Sequence, residues 1–338
     1  MKNKKLLWQL PFLTLLIVST ILIIRQQQAM PYQKSAGLVF GTSYHVSYQC
    51  DSDLSSGIMA ELMKVDASLS PFNEKSVITA INQNKHVKPD AMFLDVFKMA
   101  MCISRDTDGA FDITIAPLVN AWGFGFKNGI EPSRSQVDSL MQIVGYKKVA
   151  LNGGYVQKQD PRMMLDCSAI AKGYGSDVIA RLLRSRGITN FMVEIGGEIV
   201  ASGINEHHEP WRIGVTKPTD DPLNSTQELQ TTLRLTNKAM ATSGNYRNFY
   251  YKGGKKYAHT IDPNSGYPVQ HNILSATVIA EQCAVADAYA TSFMVMGLDK
   301  AKEVLDRHPE LMAYFIYSDK GGHDAVWFSP SLNDKIEE

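Results

Sequence analysis

The chain lacks an excess of charge of either sign. Its 34 Lys and Arg are matched by 34 Asp and Glu, so 338 residues carry a formal charge of zero at neutral pH. A nucleic-acid-binding protein needs a basic excess to meet the phosphate backbone, and that class is set aside. Cysteine is scarce. Cys50, Cys102, Cys167 and Cys283 are the whole set, and none stands in C-x-x-C spacing. So few thiols in so long a chain cannot form a disulfide scaffold, and no zinc-ligand spacing appears. No internal repeat or low-complexity tract stands out, and no glycine spacing makes a P-loop. What is present is 44% hydrophobic and 9% aromatic residues. That is ample for a packed core and excludes a disordered or fibrous chain.

One long apolar run occurs, at the N-terminus. Lys2, Lys4 and Lys5 precede Leu6–Ile24, which holds no charge and is interrupted mainly by Gln9 and Pro11. Its 19 residues are just long enough to span a bilayer as a helix. The stretch from Arg25 to Met30 is a poor small-x-small cleavage site. No Cys follows before Cys50, so a lipid-modified Cys at a processing site is excluded. An uncleaved signal anchor over residues 1–30 is expected, with a cleaved signal as the alternative. Three Lys before the run outweigh Arg25 after it, which places residues 31–338 outside the cytoplasm, in a bacterium the periplasm. The four cysteines could pair in that oxidising compartment. Buried free thiols are the preferred expectation.

Beyond the run, strands and helices interleave without a strict βαβ rhythm, so a mixed α+β domain with substantial antiparallel sheet is expected. Val39–Tyr48 reads as one strand with a bend. Leu54–Leu69, Asp90–Ser104 and Ile170–Arg186 read as helices, the last closed by Gly187. Ser133 and Gln136 have capping-box spacing for a short helix through Ile143. Lys147–Leu151 and Met163–Leu165 read as strands. So do Phe191–Ile195, Ile199–Ala201, Arg212–Val215 and Thr231–Leu235. Asn245–Tyr257 reads as a hairpin turning at Lys252-Gly253-Gly254. Leu274–Ala280 is expected as a strand, Ala284–Met296 as a helix, then a helix near Lys300–Arg307 and strands near Met312–Tyr317 and Ala325–Phe328. Thr216–Gln230 is polar and reads as a surface loop.

Several short motifs could carry chemistry, and each also has a plainer reading. Asp287 and Thr291 are i and i+4 on one helix face, where a carboxylate and a hydroxyl suit a hard divalent ion. Asp287 could instead complement the helix dipole. Asp166-Cys167-Ser168-Ala169-Ile170-Ala171-Lys172 enters a helix, and its backbone amides and Lys172 could hold an anion. A simple cap by Asp166 or Ser168 is the plainer view. In Asp108–Thr114, Phe111 could stack on a ring and Asp112 could accept from an amine or hydroxyl; a tight turn with a core Phe competes. Trp122-Gly123-Phe124-Gly125-Phe126 is a ligand platform or a lid of the core. Glu194 and Glu198 flank a Gly-Gly turn and read better as surface acids than as an acid–base pair. His259 precedes the turn Asp262-Pro263-Asn264-Ser265-Gly266 and could accept a proton.

Taken together and in order, these segments resemble the family of FAD:protein FMN transferases, also called ApbE or thiamine-biosynthesis lipoproteins. The carriers are FGTSYHVSY, LSPFNEKSVITAIN, DGAFDITIAPLVNAWGF, LDCSAIAKGYGSD, VEIGGEIVASG, ATSGNYRNF, HTIDPNSGYP and AVADAYATSFMVMG, spread from about Val39 to Phe328. The resemblance implies an α+β fold of two related halves like T-fold units, with the active site between them. It implies a periplasmic enzyme that takes FAD and Mg²⁺ and moves FMN to a Thr or Ser of a partner, releasing AMP. The partners it implies are subunits of membrane redox pumps, such as a sodium-translocating NADH:quinone reductase or an Rnf-type complex. Position by position, Phe40, Phe72, Ala110, Phe111, Asp112, Asp166, Lys172 and Ile261 match flavin-nucleotide contacts. Ala169, through its backbone carbonyl, Asp287 and Thr291 match metal ligands. His259 matches the His of a His-x-Ile-Asp motif and is the candidate general base. Two other readings remain: a Mg²⁺-dependent FAD pyrophosphatase, and a flavin-binding carrier. Many relatives are lipoproteins; here the helix over 6–24 would replace the lipid as tether.

Overall fold

The computed structural model describes residues 4–124, 132–218, 228–245, 249–252, 255–258, 260–270 and 272–337. His259 and the Gly253-Gly254 turn of the expected hairpin lie outside them. Nine helices occur among the described residues: α1 (Lys4–Ala29), α2 (Ser55–Leu69), α3 (Val77–Asn82), α4 (Ala91–Asp106), α5 (Ala116–Ala121), α6 (Arg134–Met141), α7 (Ser168–Ser185), α8 (Cys283–Met296) and α9 (Leu298–Arg307). The main sheet holds eight strands, β1 (Tyr32–Val39), β2 (Thr42–Gln49), β3 (Phe191–Ile195), β4 (Glu198–Ser202), β5 (Lys238–Gly244), β6 (Ile273–Ala280), β7 (Met312–Ser318) and β8 (Asp324–Phe328). They lie side by side in that same order, every neighbouring pair antiparallel.

That order divides the sheet into two similar halves. In each, two adjacent strands are followed by a helical insertion and then by two more adjacent strands. Helices α2 to α7 stand between β2 and β3, and α8 with α9 between β6 and β7. The expected α+β architecture of two related halves is therefore present. Period-two alternation sorts β7 between two layers. Ala313 and Phe315 join the core under α4, α7 and α8, while Met312, Tyr314 and Ile316 pack on the opposite face. A small sheet of Trp211–Thr216, Leu229–Leu235 and Ile336–Glu337 covers that opposite face.

Several expectations need correction. Val39–Tyr48 is not one bent strand but the end of β1, a two-residue turn and most of β2. Phe40 and Gly41 both take positive φ, 53° and 74°, as a tight hairpin whose twist matches its strands requires. Met163–Leu165 is a loop. Its backbone is satisfied by a side chain, with the Leu165 N–H donating to Asn82 Oδ1 at 2.7 Å and Asn82 Nδ2 donating back to the Leu165 carbonyl at 2.9 Å. Lys147 and Lys148 belong to a 3₁₀ turn, and the strand begins at Val149. Strand β5 was not expected from KAMATSG. Small residues suit a strand enclosed by helices on one side and the small sheet on the other.

The four cysteines are free. Cys167 and Cys283 are buried as expected, but Cys50 is half-buried and Cys102 exposed. Helix α1 runs for 26 residues and contains Pro11. Among the described residues no helix is long and apolar enough to cross a membrane. The side chains of residues 4–10 and 26–29 of α1 lie outside the description, so the expected anchor falls partly outside it.

Candidate active site

The site is built where α7 meets α8. The two helices approach so closely that a Cβ on Gly173 would lie 2.4 Å from the Cys283 carbonyl oxygen. Only glycine permits that contact. Asp287, on the second turn of α8 and 3% exposed, accepts the Gly173 N–H at 3.1 Å through Oδ2. Helical i→i−4 pairing assigns that same N–H to the Ala169 carbonyl, so Ala169 and Asp287 share one neighbourhood.

Lys172 precedes Gly173 and makes its ion pair with a different carboxylate. Its Nζ lies 2.6 Å from Glu198 Oε1. Glu198 is 2% exposed, which corrects its reading as a surface acid. Glu194, by contrast, does sit near the surface, with His45 Nδ1 2.7 Å from its Oε2. Burial pulls the Lys172 ammonium down, but the Asp287 and Glu198 carboxylates together hold it above its ordinary value. Burial pushes the Asp287 carboxyl up, against the pull of Lys172 and the Gly173 N–H.

A cavity of about 870 Å³ opens over this junction, large enough for a dinucleotide. Lys172, Glu198, Asp287, Thr291, Asp166 and Ala169 line one side. Phe40 and Phe72 line it from the β1–β2 turn and the loop after α2, and Ala110, Phe111 and Asp112 from the loop after α4. Ile261 completes the expected set. Every residue that the family resemblance matched to a flavin or metal contact therefore lines one space, while Glu194 and Trp122 do not; His259 lies outside the described residues.

The walls explain why these residues converge. Phe40 holds a left-handed φ that costs a non-glycine residue of order 1 kcal/mol or more. Its ring fits because residue 175 is glycine; a Cβ there would lie 2.9 Å from Phe40 Cε2. Asp112 lines the cavity and also braces its own loop. Its Oδ1 accepts from the Thr114 N–H and hydroxyl, each at 2.7 Å, and Oδ2 accepts the Tyr146 N–H at 2.6 Å. It shapes the loop that presents Ala110 and Phe111. The loop is tied to the start of α7 by the Asp166 N–H, which donates to the Ile113 carbonyl at 2.7 Å. Asp166 Oδ1 in turn accepts from the Ser168 N–H at 2.8 Å and its hydroxyl at 2.5 Å. The first turn of α7 thus faces the cavity with its dipole positive, a natural seat for phosphate.

The turn 262–266 holds Ile261 in place. Trp122 Nε1 donates to the Gly266 carbonyl at 2.8 Å, and Ile261 pairs with Pro268 in an isolated bridge. Trp122 is 2% exposed and is core, while Phe124 reaches the cavity. Sequence reasoning missed several polar wall residues, among them Glu198 and Ser243. Glu198 was discounted, and Ser243, whose hydroxyl lies 3.1 Å from Thr291 Oγ1, was never singled out. The only signal for Ser243 was the small polar Ala-Thr-Ser-Gly tract at the end of β5. No cluster of three or more His, Cys, Asp or Glu suited to a metal occurs among the described residues. The oxygen donors Asp287, Thr291 and Ala169 are of another kind, suited to a hard cation rather than a soft one.

A model of the ApbE family matches residues 40–315. The FAD:protein FMN transferase of Haemophilus influenzae is 36% identical over 303 residues, covering 85% of this chain and 87% of that protein. That of Escherichia coli K12 is 35% identical over 291 residues, covering 83% and 81%. Among solved structures, the flavin transferase ApbE from Vibrio cholerae superposes with a TM-score of 0.80 at 31% identity, over 90% of this chain and all (100%) of that one. The apo flavinyl transferase ApbE of Pseudomonas stutzeri gives 0.80 at 28% identity, over 90% and 97%. With its fold, its cavity and its sequence all of one kind, the chain belongs to the ApbE family.

Proposed function

We propose that the chain is an FAD:protein FMN transferase, joining the FMN phosphate of FAD to a Thr or Ser hydroxyl of a partner protein. The observation that carries this reading is the convergence of Lys172, Asp287, Thr291 and the N-terminus of α7 on one dinucleotide-sized cavity. In the reaction the acceptor oxygen bonds to the FMN phosphorus, the bond to the AMP phosphate breaks, and AMP leaves. Negative charge gathers on the non-bridging oxygens as this happens. Lys172 and the α7 amides face the cavity where that charge develops. Phe111 and Ile261 supply apolar wall for the flat rings of the dinucleotide. His259 takes the hydroxyl proton; its support is its place in the chain beside Thr260 and Ile261, which line the cavity.

Asp287, Thr291 and Ala169 would hold Mg²⁺ through a carboxylate, a hydroxyl and a backbone carbonyl, a donor set that fits a hard cation. When bound there, the ion neutralises phosphate charge. Helix α1 serves as an anchor in the inner membrane, with residues 31–338 in the periplasm. In its support, Leu15, Leu22 and Ile23 are 63%, 60% and 58% exposed, and a bilayer would bury them. Subunits of a sodium-translocating NADH:quinone reductase or an Rnf-type complex are the proposed acceptors.

The test is mass spectrometry of such an acceptor domain after incubation with the chain, FAD and Mg²⁺. A gain of one FMN, lost with EDTA, is the expected result. Free FMN and AMP beside an unmodified acceptor would replace the transferase with a pyrophosphatase. Intact FAD would leave a flavin carrier. Membrane fractionation of the full chain against residues 31–338 tests the anchor, which fails if the full chain is recovered in the soluble fraction.

A further inference from the structure

We infer that Glu198 is a positioning residue that holds Lys172 away from Asp287, keeping the Asp287 carboxylate open to a divalent cation. The inference rests on the Mg²⁺ reading above and deepens it. Lys172 and Asp287 belong to facing helices and feel each other's charge. An ammonium beside a buried carboxylate ordinarily closes on it, because neither is well solvated. Here the geometry is different. The ion pair of Lys172 is with Glu198, at 2.6 Å, and the hydrogen bond to Asp287 comes from the Gly173 N–H instead.

Glu198 is fixed for this task from both ends. Its backbone carbonyl accepts the Ser176 hydroxyl at 2.9 Å, and its side chain meets Lys172. Lys172 and Ser176 are i and i+4, so one face of α7 grips Glu198 twice. The Gly196-Gly197 turn before it, with φ of 62° and 102°, leaves room for the carboxylate. A Cβ on Gly196 would lie 3.4 Å from Glu198 Oε2 and 2.8 Å from Thr42 Cγ2.

Charge counting shows what Glu198 adds. Lys172 with Asp287 alone is a neutral pair and offers a cation little. Glu198 adds a negative charge beside that pair, and Lys172 remains positive for the phosphates. Removing the Glu198 charge frees Lys172 to close on Asp287, in direct competition with Mg²⁺.

The test is calorimetric titration of the full chain with Mg²⁺, with no flavin present. E198Q should bind Mg²⁺ about 10- to 100-fold more weakly than the wild type, as loss of an outer-shell partner does. The double variant E198Q/K172M should recover most of that loss, because the competing ammonium is gone. A merely structural role for Glu198 would not give such rescue. Equal affinity in E198Q and wild type overturns the inference, and so does a double variant as weak as E198Q. Should E198Q fail to fold, K172M alone decides: it should bind Mg²⁺ at least as tightly as the wild type, and weaker binding overturns the inference. A wild type that takes no Mg²⁺ fells the metal reading itself, which is a distinct result.

Discussion

Asp177, on α7, caps the start of α8: its Oδ1 accepts the Cys283 N–H and its Oδ2 the Ala284 N–H, each at 2.9 Å. Gln282 at the cap position makes no side-chain bond of its own. The carboxylate that closes α8 therefore comes from the other half of the sheet, one turn beyond the glycine that lets the helices touch. The same contact that joins the halves aims Asp287 into the cavity.

Asp177→Ala should leave two buried N–H groups without their acceptor and cost about 2 kcal/mol, judged from cap losses and orphaned donors. Denaturant unfolding monitored by circular dichroism measures it. A midpoint equal to the wild type's would show that the cap contributes nothing.

Asp177 also makes a pH prediction. Burial is the largest influence on its carboxyl and, over the pull of the two N–H groups, pushes it from 3.8 up to about 6. An acid with a raised folded-state value holds its proton more tightly when folded. Its contribution is thus fully present below about pH 4, and it is lost as pH rises through about 6. The gap corresponds to about 3 kcal/mol. The stability difference between wild type and Asp177→Asn, followed from pH 4 to pH 7, isolates this carboxyl from the other titrating groups. It should shift against the wild type as pH rises. A difference that is flat or moves the other way rejects the assignment.

Gly173→Ala tests the helix contact directly. The new Cβ meets the backbone of Cys283, not a flexible side chain tip. The helices must part, at about 3 kcal/mol or more, and Asp287 loses its N–H donor. Lower thermal stability and a fall in turnover should appear together. Wild-type stability in this variant would mean that α7 and α8 are not in such close contact.

What the sequence made legible was local chemistry. Ser133 and Gln136 form the reciprocal capping box their spacing implied, and Asp90 caps α4 through the Phe93 N–H. Both depend on residues three apart. What it hid depends on distant partners. Leu165 finds its partner in Asn82, 83 positions away, so its loop resembled a strand. Glu198 flanks a glycine turn, as surface acids often do, and only the packing of α7 on β4 buries it. Asp112 was visible as a site residue, but the loop-bracing part it also plays, through its bond to Tyr146, 34 positions on, was not. The family motifs marked which segments matter; they could not say which polar atoms were already engaged.

Gly266→Ala probes the wall that carries Ile261. Gly266 has φ of 80°, and a Cβ there would lie 2.7 Å from Val137 Cγ1. The substitution should loosen the 262–266 turn, destabilise by about 1–2 kcal/mol and raise KM for FAD several-fold. Steady-state kinetics read the effect. An unchanged KM would detach this turn from FAD binding.

Asp287 gives the sharpest test of the chemistry. Asp287→Asn keeps an oxygen for the Gly173 N–H and nearly the same volume, so the α7–α8 contact should survive. What it removes is the negative charge that a divalent cation needs, beside the cavity where phosphate charge develops. Turnover in saturating Mg²⁺ should fall at least about 100-fold, with circular dichroism and the thermal midpoint close to those of the wild type. Asp287→Ala should lose as much activity and some stability besides, because the Gly173 N–H is then left without its acceptor. The pair separates charge from structure: if Asp287→Asn were fully active, the carboxylate would be a helix-packing group, and the cation would have to be held by other atoms of the cavity.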